Sequence, residues 1–264
     1  MSSASGRWAD LLPRLGSAIV MLIVGAYAVW AGGAVFTILI AACSGGMIWE
    51  LTRMLEPENR AVQLQLGGLV AVAVLAAAYV PVQFVLPILL APVMAGRSQL
   101  SGHMRDWFSY APWVLLAGFG FIWLRNTLGP SWLLWLIGVV VATDVAGYFA
   151  GKIIGGPKFW PRISPKKTWS GTSAGWVAAA VVGAVFAGQT EAGSLLVVLS
   201  VLVSFASQLG DVAESALKRR TGVKDSSALI PGHGGLFDRF DGMLGASAMI
   251  LILMLLGALP NGVA

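Results

Sequence analysis

Five acidic side chains, five Lys or Arg and one His fall between Ser204 and Asp241, with strongly apolar sequence on either side. Residues of these types suit phosphate chemistry. Carboxylates can hold a divalent cation, while lysines act as point charges for phosphate oxygens. Asp238 and Asp241 are three apart, so a helix that begins there carries both on one face. Asp211 comes from the segment before. Convergence of these three carboxylates would suit a hard cation such as Mg²⁺, whose remaining positions go to water and substrate phosphates.

The elements that must position these groups can be read from spacing. Ser204, Ser207, Gln208, Asp211, Glu214, Ser215 and Lys218 recur at intervals of three and four, one polar stripe on a helix. Leu202, Val203, Phe205, Leu209, Val212 and Ala213 form the other face, expected to meet lipid. Residues 218–237 then read as a basic, glycine-rich loop that ends at the mouth of the last apolar segment.

A second group lies upstream. Asp144 sits inside an apolar segment, where a carboxylate costs about 2.5 to 3.5 kcal/mol on insertion scales, so it should face a cavity or a partner. Gly147, Tyr148, Gly151 and Lys152 share its face, and a structural Asp144–Lys152 contact is the alternative. The following loop offers Ser164, Lys166, Lys167 and Thr168, which could bind phosphate or anchor the chain among lipid headgroups.

The run Ser215-x-Leu217-Lys218-Arg219, then Lys224-Asp225, then Pro231-x-His233-Gly234-Gly235-Leu236-x-Asp238-Arg239-x-Asp241 resembles the signature of the phosphatidate cytidylyltransferases. Ser164-Pro165-Lys166-Lys167-Thr168-Trp169 resembles that family's second recurrent segment, with Ser170 where members often carry Glu or Gln. Asp144-x-x-Gly147-Tyr148 also has a counterpart there. The resemblance implies an integral membrane enzyme that joins CTP to phosphatidate with Mg²⁺, giving CDP-diacylglycerol and pyrophosphate. It makes Asp211, Asp238 and Asp241 the metal ligands and places them with Lys218, Arg219 and Arg239 in the catalytic set. Asp144, Lys152, Ser164, Lys166, Lys167, Thr168, Lys224, Asp225, His233 and Gly234 become substrate-binding residues. A second, monovalent cation and a homodimer stay open.

Composition agrees with a membrane setting. The chain is 264 residues, 57% hydrophobic and only 11% charged, with a mean hydropathy of +0.80, outside the range of soluble domains. A net charge of +5 fits an anionic membrane surface better than nucleic acid, because basic patches interleaved with aromatics are missing. Cys43 is the single cysteine, which excludes an intrachain disulfide and suits a buried thiol.

The apolar segments predict an all-α, polytopic helical bundle with about nine crossings. No charge appears from Leu15 to Trp49, about 52 Å of helix against a hydrocarbon core of about 30 Å, so Gly32-Gly33 should be a hairpin turn. The same reasoning splits Ala61 to Gly96 near Pro81. The basic start ahead of Gly16 could be a signal peptide, but the spans that follow at once favour an uncleaved first helix. With a cytoplasmic N-terminus, Arg7 and Arg14 included, only Arg125 of the 17 Lys and Arg falls on the far side. Loops 155–171 and 218–241 then face the cytoplasm of a bacterial inner membrane, where CTP is available. Residues 1–130 read as scaffold and 131–264 as the catalytic region.

Other features weigh less. Gly147-x-x-x-Gly151-Lys152 is one residue too short for a phosphate-binding loop and lacks its hydroxyl, so small-residue helix packing is the better reading. His233 could touch a phosphate or make an ordinary loop hydrogen bond, and His103 reads as structural. Glu50, beside Arg53, reads as an interfacial charge. Glu214 and Asp225 stand between a metal or substrate role and pairing with Lys218, Arg219 or Lys224. A CTP-dependent polyprenol or phytol kinase and an ion-coupled transporter are the rival functions. The full Ser215–Asp241 signature argues against the kinase, and charges gathered at helix ends in one half argue against the transporter.

Overall fold

A computed structural model describes residues 11–259, so Arg7 and the start of the signal-peptide reading lie outside the described residues. Nine α-helices order the described chain: α1 (Leu11–Ala31), α2 (Gly33–Leu55), α3 (Arg60–Ala77), α4 (Val82–Gln99), α5 (Met104–Trp123), α6 (Pro130–Ile153), α7 (Trp169–Phe186), α8 (Leu195–Thr221) and α9 (Phe237–Leu255). A short antiparallel hairpin, β1 (Lys158–Trp160) and β2 (Ser164–Thr168), links α6 to α7 with Lys158 opposite Thr168 and Trp160 opposite Ser164. α5 runs on into a single π turn, Leu124–Leu128.

The breaks fall where backbone chemistry demands them. Gly32 and Gly33 both have positive φ, 63° and 48°, so the long uncharged run splits there into α1 and α2. Pro81 precedes α4, and Asn59 caps α3 by accepting from Val62 N at 3.2 Å. Among the described residues seven helices are long and apolar enough to cross a membrane: α1, α2, α3, α5 with its π turn, α6, α7 and α8. α9 opens with Asp238, Arg239 and Asp241, and α4 closes on Arg97, Ser98 and Gln99. Exposed Val141, Val145 and Phe149 on α6 and Val177, Val181 and Val185 on α7 recur every four residues, the pattern of lipid-facing stripes. The protein is an all-α membrane protein.

The chain forms two compact units. The first contains the residues up to Ala111 together with Thr221–Phe240. In it α2 and α3 approach closely enough that a Cβ on Gly45 would meet Gly67 O at 2.7 Å. Trp107 is wholly buried and donates Nε1–H to Val93 O at 2.8 Å. Just past α2, Ser101 Oγ and N donate to Glu56 Oε1 at 2.5 and 2.6 Å, which holds that carboxyl below the usual range.

The second unit contains Pro112–Arg220 and the chain from Asp241 onward. Here α6 and α7 pack through glycine. A Cβ on Gly171 would come within 2.5 Å of Gly147 O, and one on Gly151 within 3.0 Å of Thr168 Oγ1. The Gly147-x-x-x-Gly151 motif is therefore a helix-packing surface. Buried polar groups tie α8 to its neighbours: Trp135 Nε1 donates to Ser200 Oγ (2.8 Å), Thr143 Oγ1 to Ser204 Oγ (2.7 Å) and Trp176 Nε1 to Gln208 Oε1 (3.1 Å).

One expectation for α8 needs correction. Ser204, Ser207, Gln208 and Glu214 are buried, as the stripe required, and Leu202, Phe205 and Leu209 are exposed. Val203 and Val212, assigned to the lipid face, are instead buried at 0% and 5% exposure. At 100° per residue they flank the stripe and enter the protein with it.

Candidate active site

In the second unit, small residues let α8 and α9 meet backbone to backbone. A Cβ on Gly210 would strike Asp241 O, one on Gly245 would strike Ala206 O, and one on Gly242 would lie 2.8 Å from Ser207 Oγ. That approach carries Asp211 and Asp241 to the same place. Asp211, Glu214 and Asp241 each offer a carboxylate oxygen within 4.8 Å of the others. Glu214 sits one helical turn after Asp211, so the α8 stripe itself delivers two of the three.

Two lysines answer these charges. Lys167 Nζ, from β2, lies 2.6 Å from Asp211 Oδ2 and donates to Gln208 O at 3.1 Å. Lys218 Nζ lies 2.7 Å from Glu214 Oε2. Asp241 Oδ1 accepts from Gly242 N at 2.7 Å, and Ser215 Oγ stands 3.4 Å from Asp211 Oδ1. The cluster thus sets three carboxylates beside two ammonium groups. Its donor set is all oxygen, which suits a hard divalent cation.

A cleft of about 430 Å³ opens beside the cluster, lined by Asp144, Lys152, Lys166, Lys167, Thr168 and Asp211, with Gly147, Gly151 and Gly171 also on its wall. Among the described residues no ion pair joins Asp144 to Lys152. Lys152 Nζ instead lies 5.7 Å from the centre of the Tyr148 ring. Thr168 caps α7 by accepting from Gly171 N at 3.2 Å, and Ser170 Oγ donates to Gly155 O at 2.5 Å. Ser164 is half-buried on β2, while Lys166 and Arg219 are exposed.

The remaining expected residues belong to the first unit and are built differently. Gly232 and Gly234 have φ of 74° and 84°, a left-handed geometry that explains the glycines around His233. Ser17 Oγ on α1 donates to Pro231 O and lies 2.9 Å from His233 Nδ1, while Arg239 Nε donates to His233 O at 2.8 Å. Asp238 Oδ2 accepts from Ser226 N (2.9 Å), Ser226 Oγ (2.8 Å) and Gly235 N (2.9 Å). Lys224 and Asp225 are exposed.

Glu50 is not an interfacial charge. It is fully buried in α2 and accepts hydrogen bonds from Ser226, Ser227, Leu236 and Phe237. Sequence reasoning also passed over Ser17, Ser226 and Ser227. The available signal for Glu50 was its place as the sole carboxylate of α2, four residues after Gly46.

The sequence model of the cytidylyltransferase family matches residues 13–256. Phosphatidate cytidylyltransferase of Brucella suis is 34% identical over 270 residues, 96% of each chain. The chain belongs to the cytidylyltransferase family. The Bacillus subtilis phosphatidate cytidylyltransferase is 31% identical over 94% of this chain and 98% of its own. That of Helicobacter pylori reaches 42% over about half of each.

Proposed function

We propose that the protein transfers CMP from CTP to phosphatidate, giving CDP-diacylglycerol and pyrophosphate in phospholipid biosynthesis. The observation that carries the reading is the junction of the Asp211, Glu214 and Asp241 carboxylates with a cleft lined by Lys152, Lys166 and Lys167. Carboxylates for a cation stand beside ammonium groups for phosphates.

In the reaction a phosphate oxygen of phosphatidate attacks the α-phosphorus of CTP. The new P–O bond forms as the bond to the β-phosphate oxygen breaks, and pyrophosphate leaves with that electron pair. A phosphate monoester is already largely dianionic near neutral pH, so no general base is required. The obstacle is repulsion between anions. Mg²⁺ would supply charge neutralisation and orientation, held by Asp211, Asp238 and Asp241 with Glu214 as a further oxygen donor. Lys166, Lys167, Arg219 and Arg239 would hold phosphates and the developing charge on the leaving group. Lys167, already paired with Asp211, would give the phosphates a fixed distance from the carboxylates.

Nine crossings, a cytoplasmic N-terminus and a site on the cytoplasmic face of the inner membrane complete the proposal. The charge bias of the loops supports that topology. Residues 131–264 would carry the chemistry on the support of 1–130, and the acyl chains of the lipid would stay in the bilayer.

The test is transfer of label with purified protein in detergent, given phosphatidate and CTP with and without Mg²⁺. α-Phosphorus label should enter lipid, and γ label should appear in pyrophosphate. Entry of γ label into lipid would make the protein a kinase and end the proposal.

A further inference from the structure

Glu50 has no exposed surface, and four donors from one stretch of chain converge on it. Ser227 Oγ (2.6 Å) and Leu236 N (2.9 Å) donate to Oε1, while Phe237 N (2.7 Å) and Ser226 Oγ (3.2 Å) reach Oε2. The Leu236 and Phe237 amides stand at the start of α9, where a helix has donors that its own carbonyls cannot reach. Glu50 therefore caps the ninth helix from the second. The positive end of the α9 dipole adds to the attraction. The fit leaves no slack, because a Cβ on Gly235 would collide with Glu50 Oε1 and Ser226 Oγ. On the same face of α2, a Cβ on Gly46 would come within 2.5 Å of Leu236 Cδ1.

Ser226 extends this contact toward the signature carboxylate. Its hydroxyl has a single proton and lies 2.8 Å from Asp238 Oδ2 and 3.2 Å from Glu50 Oε2. Asp238 Oδ2 is held besides by the amides of Ser226 and Gly235. A continuous set of contacts thus runs from Glu50 through Ser226 to Asp238.

We propose that Glu50 is a positioning residue: its buried carboxylate fixes the 226–237 loop and the first turn of α9, and through Ser226 it orients Asp238 for phosphate transfer. The inference rests on the cytidylyltransferase reading above. A purely structural residue would, when changed, loosen the whole fold. A positioning residue loosens the loop and slows turnover in a protein that is otherwise intact.

The experiment uses full-length protein in detergent and the variants Glu50→Gln, Glu50→Asp and Ser226→Ala. Gln keeps the shape but turns one acceptor into a donor that faces N–H groups. Hydrogen exchange at the Leu236 and Phe237 amides should accelerate by about tenfold or more in Glu50→Gln, with α6 and α8 unchanged. kcat should fall by a similar factor while KM for CTP stays within about twofold, and Glu50→Asp should recover part of both losses. The Glu50→Gln, Ser226→Ala double variant should be no worse than the poorer single one. Wild-type kcat with wild-type loop exchange in Glu50→Gln would overturn the proposal, as would faster exchange spread evenly through α6 and α8. If Glu50→Gln fails to fold, Glu50→Asp decides on the same two readouts. The exchange arm needs no substrate, so a wild-type protein that fails to transfer CMP would defeat the functional reading alone.

Discussion

Lys167 Nζ lies 2.6 Å from Asp211 Oδ2, which joins the β2 strand to α8 at the edge of the carboxylate cluster. A divalent cation held as proposed would compete with this ammonium for the same oxygen. The two side chains are 21% and 35% exposed, so solvent screens the pair and its worth is about 1 kcal/mol or less.

Removing the ammonium should therefore have opposite effects on metal and on turnover. Lys167→Met should tighten Mn²⁺ binding by up to about fivefold, the equivalent of about 1 kcal/mol. CMP transfer should fall by about a hundredfold, the loss expected for one charge that faces the transition state. Titration of the Mn²⁺ electron paramagnetic resonance signal checks the first and labelled CTP the second. Unchanged Mn²⁺ affinity would remove Asp211 from the metal assignment.

A backbone contact elsewhere sets the same cluster. A Cβ on Gly210 has no room against Asp241 O. Gly210→Ala should cost about 1 to 3 kcal/mol through overpacking and should also part Asp211 from Asp241, so turnover falls more than stability alone would explain. Gly68→Ala is the control, since nothing lies within 4 Å of its Cβ. At a helical site it should be neutral or stabilise by about 0.5 to 1 kcal/mol. Thermal melts in detergent together with CMP transfer separate the two effects. Equal turnover in both variants would show that α8 and α9 tolerate separation.

Spacing alone made part of this legible. The α8 stripe is a local, 3.6-residue signal, and the burial of Ser204, Ser207 and Gln208 follows it. The hairpin at Gly32 followed from the length of an uncharged run. Glu50 was out of reach for the opposite reason: its partners lie 176 to 187 positions later, and its place as the sole carboxylate of α2 does not say which groups it accepts from. A glutamate at the end of an apolar segment looks the same whether it meets headgroups or a loop folded back upon it. Val203 and Val212 were misplaced because hydrophobicity does not distinguish lipid from protein core.

Glu214 joins the cluster as a further donor beside the proposed aspartate ligands, so its removal should be milder than that of the aspartates. Glu214→Gln should weaken Mn²⁺ binding by about tenfold, against about a hundredfold for Asp211→Asn and Asp241→Asn, since loss of a principal ligand's charge costs more than loss of a further donor's. The same resonance titration reads all three. A larger loss in Glu214→Gln than in Asp241→Asn would make Glu214 the principal ligand.

Asp238→Asn separates charge from architecture. The amide oxygen of Asn can still accept from Ser226 N, Ser226 Oγ and Gly235 N, the three donors that Asp238 Oδ2 engages, so the loop should keep its shape. What is lost is a negative charge one helical turn before Asp241. If Asp238 serves Mg²⁺ as proposed, turnover should drop below about a thousandth of wild type, in the range for loss of a major electrostatic contribution at a reacting centre. Exchange at Leu236 and Phe237 should stay slow. Full activity in a folded Asp238→Asn protein would remove this carboxylate from the metal site and leave Glu214 to complete it with Asp211 and Asp241.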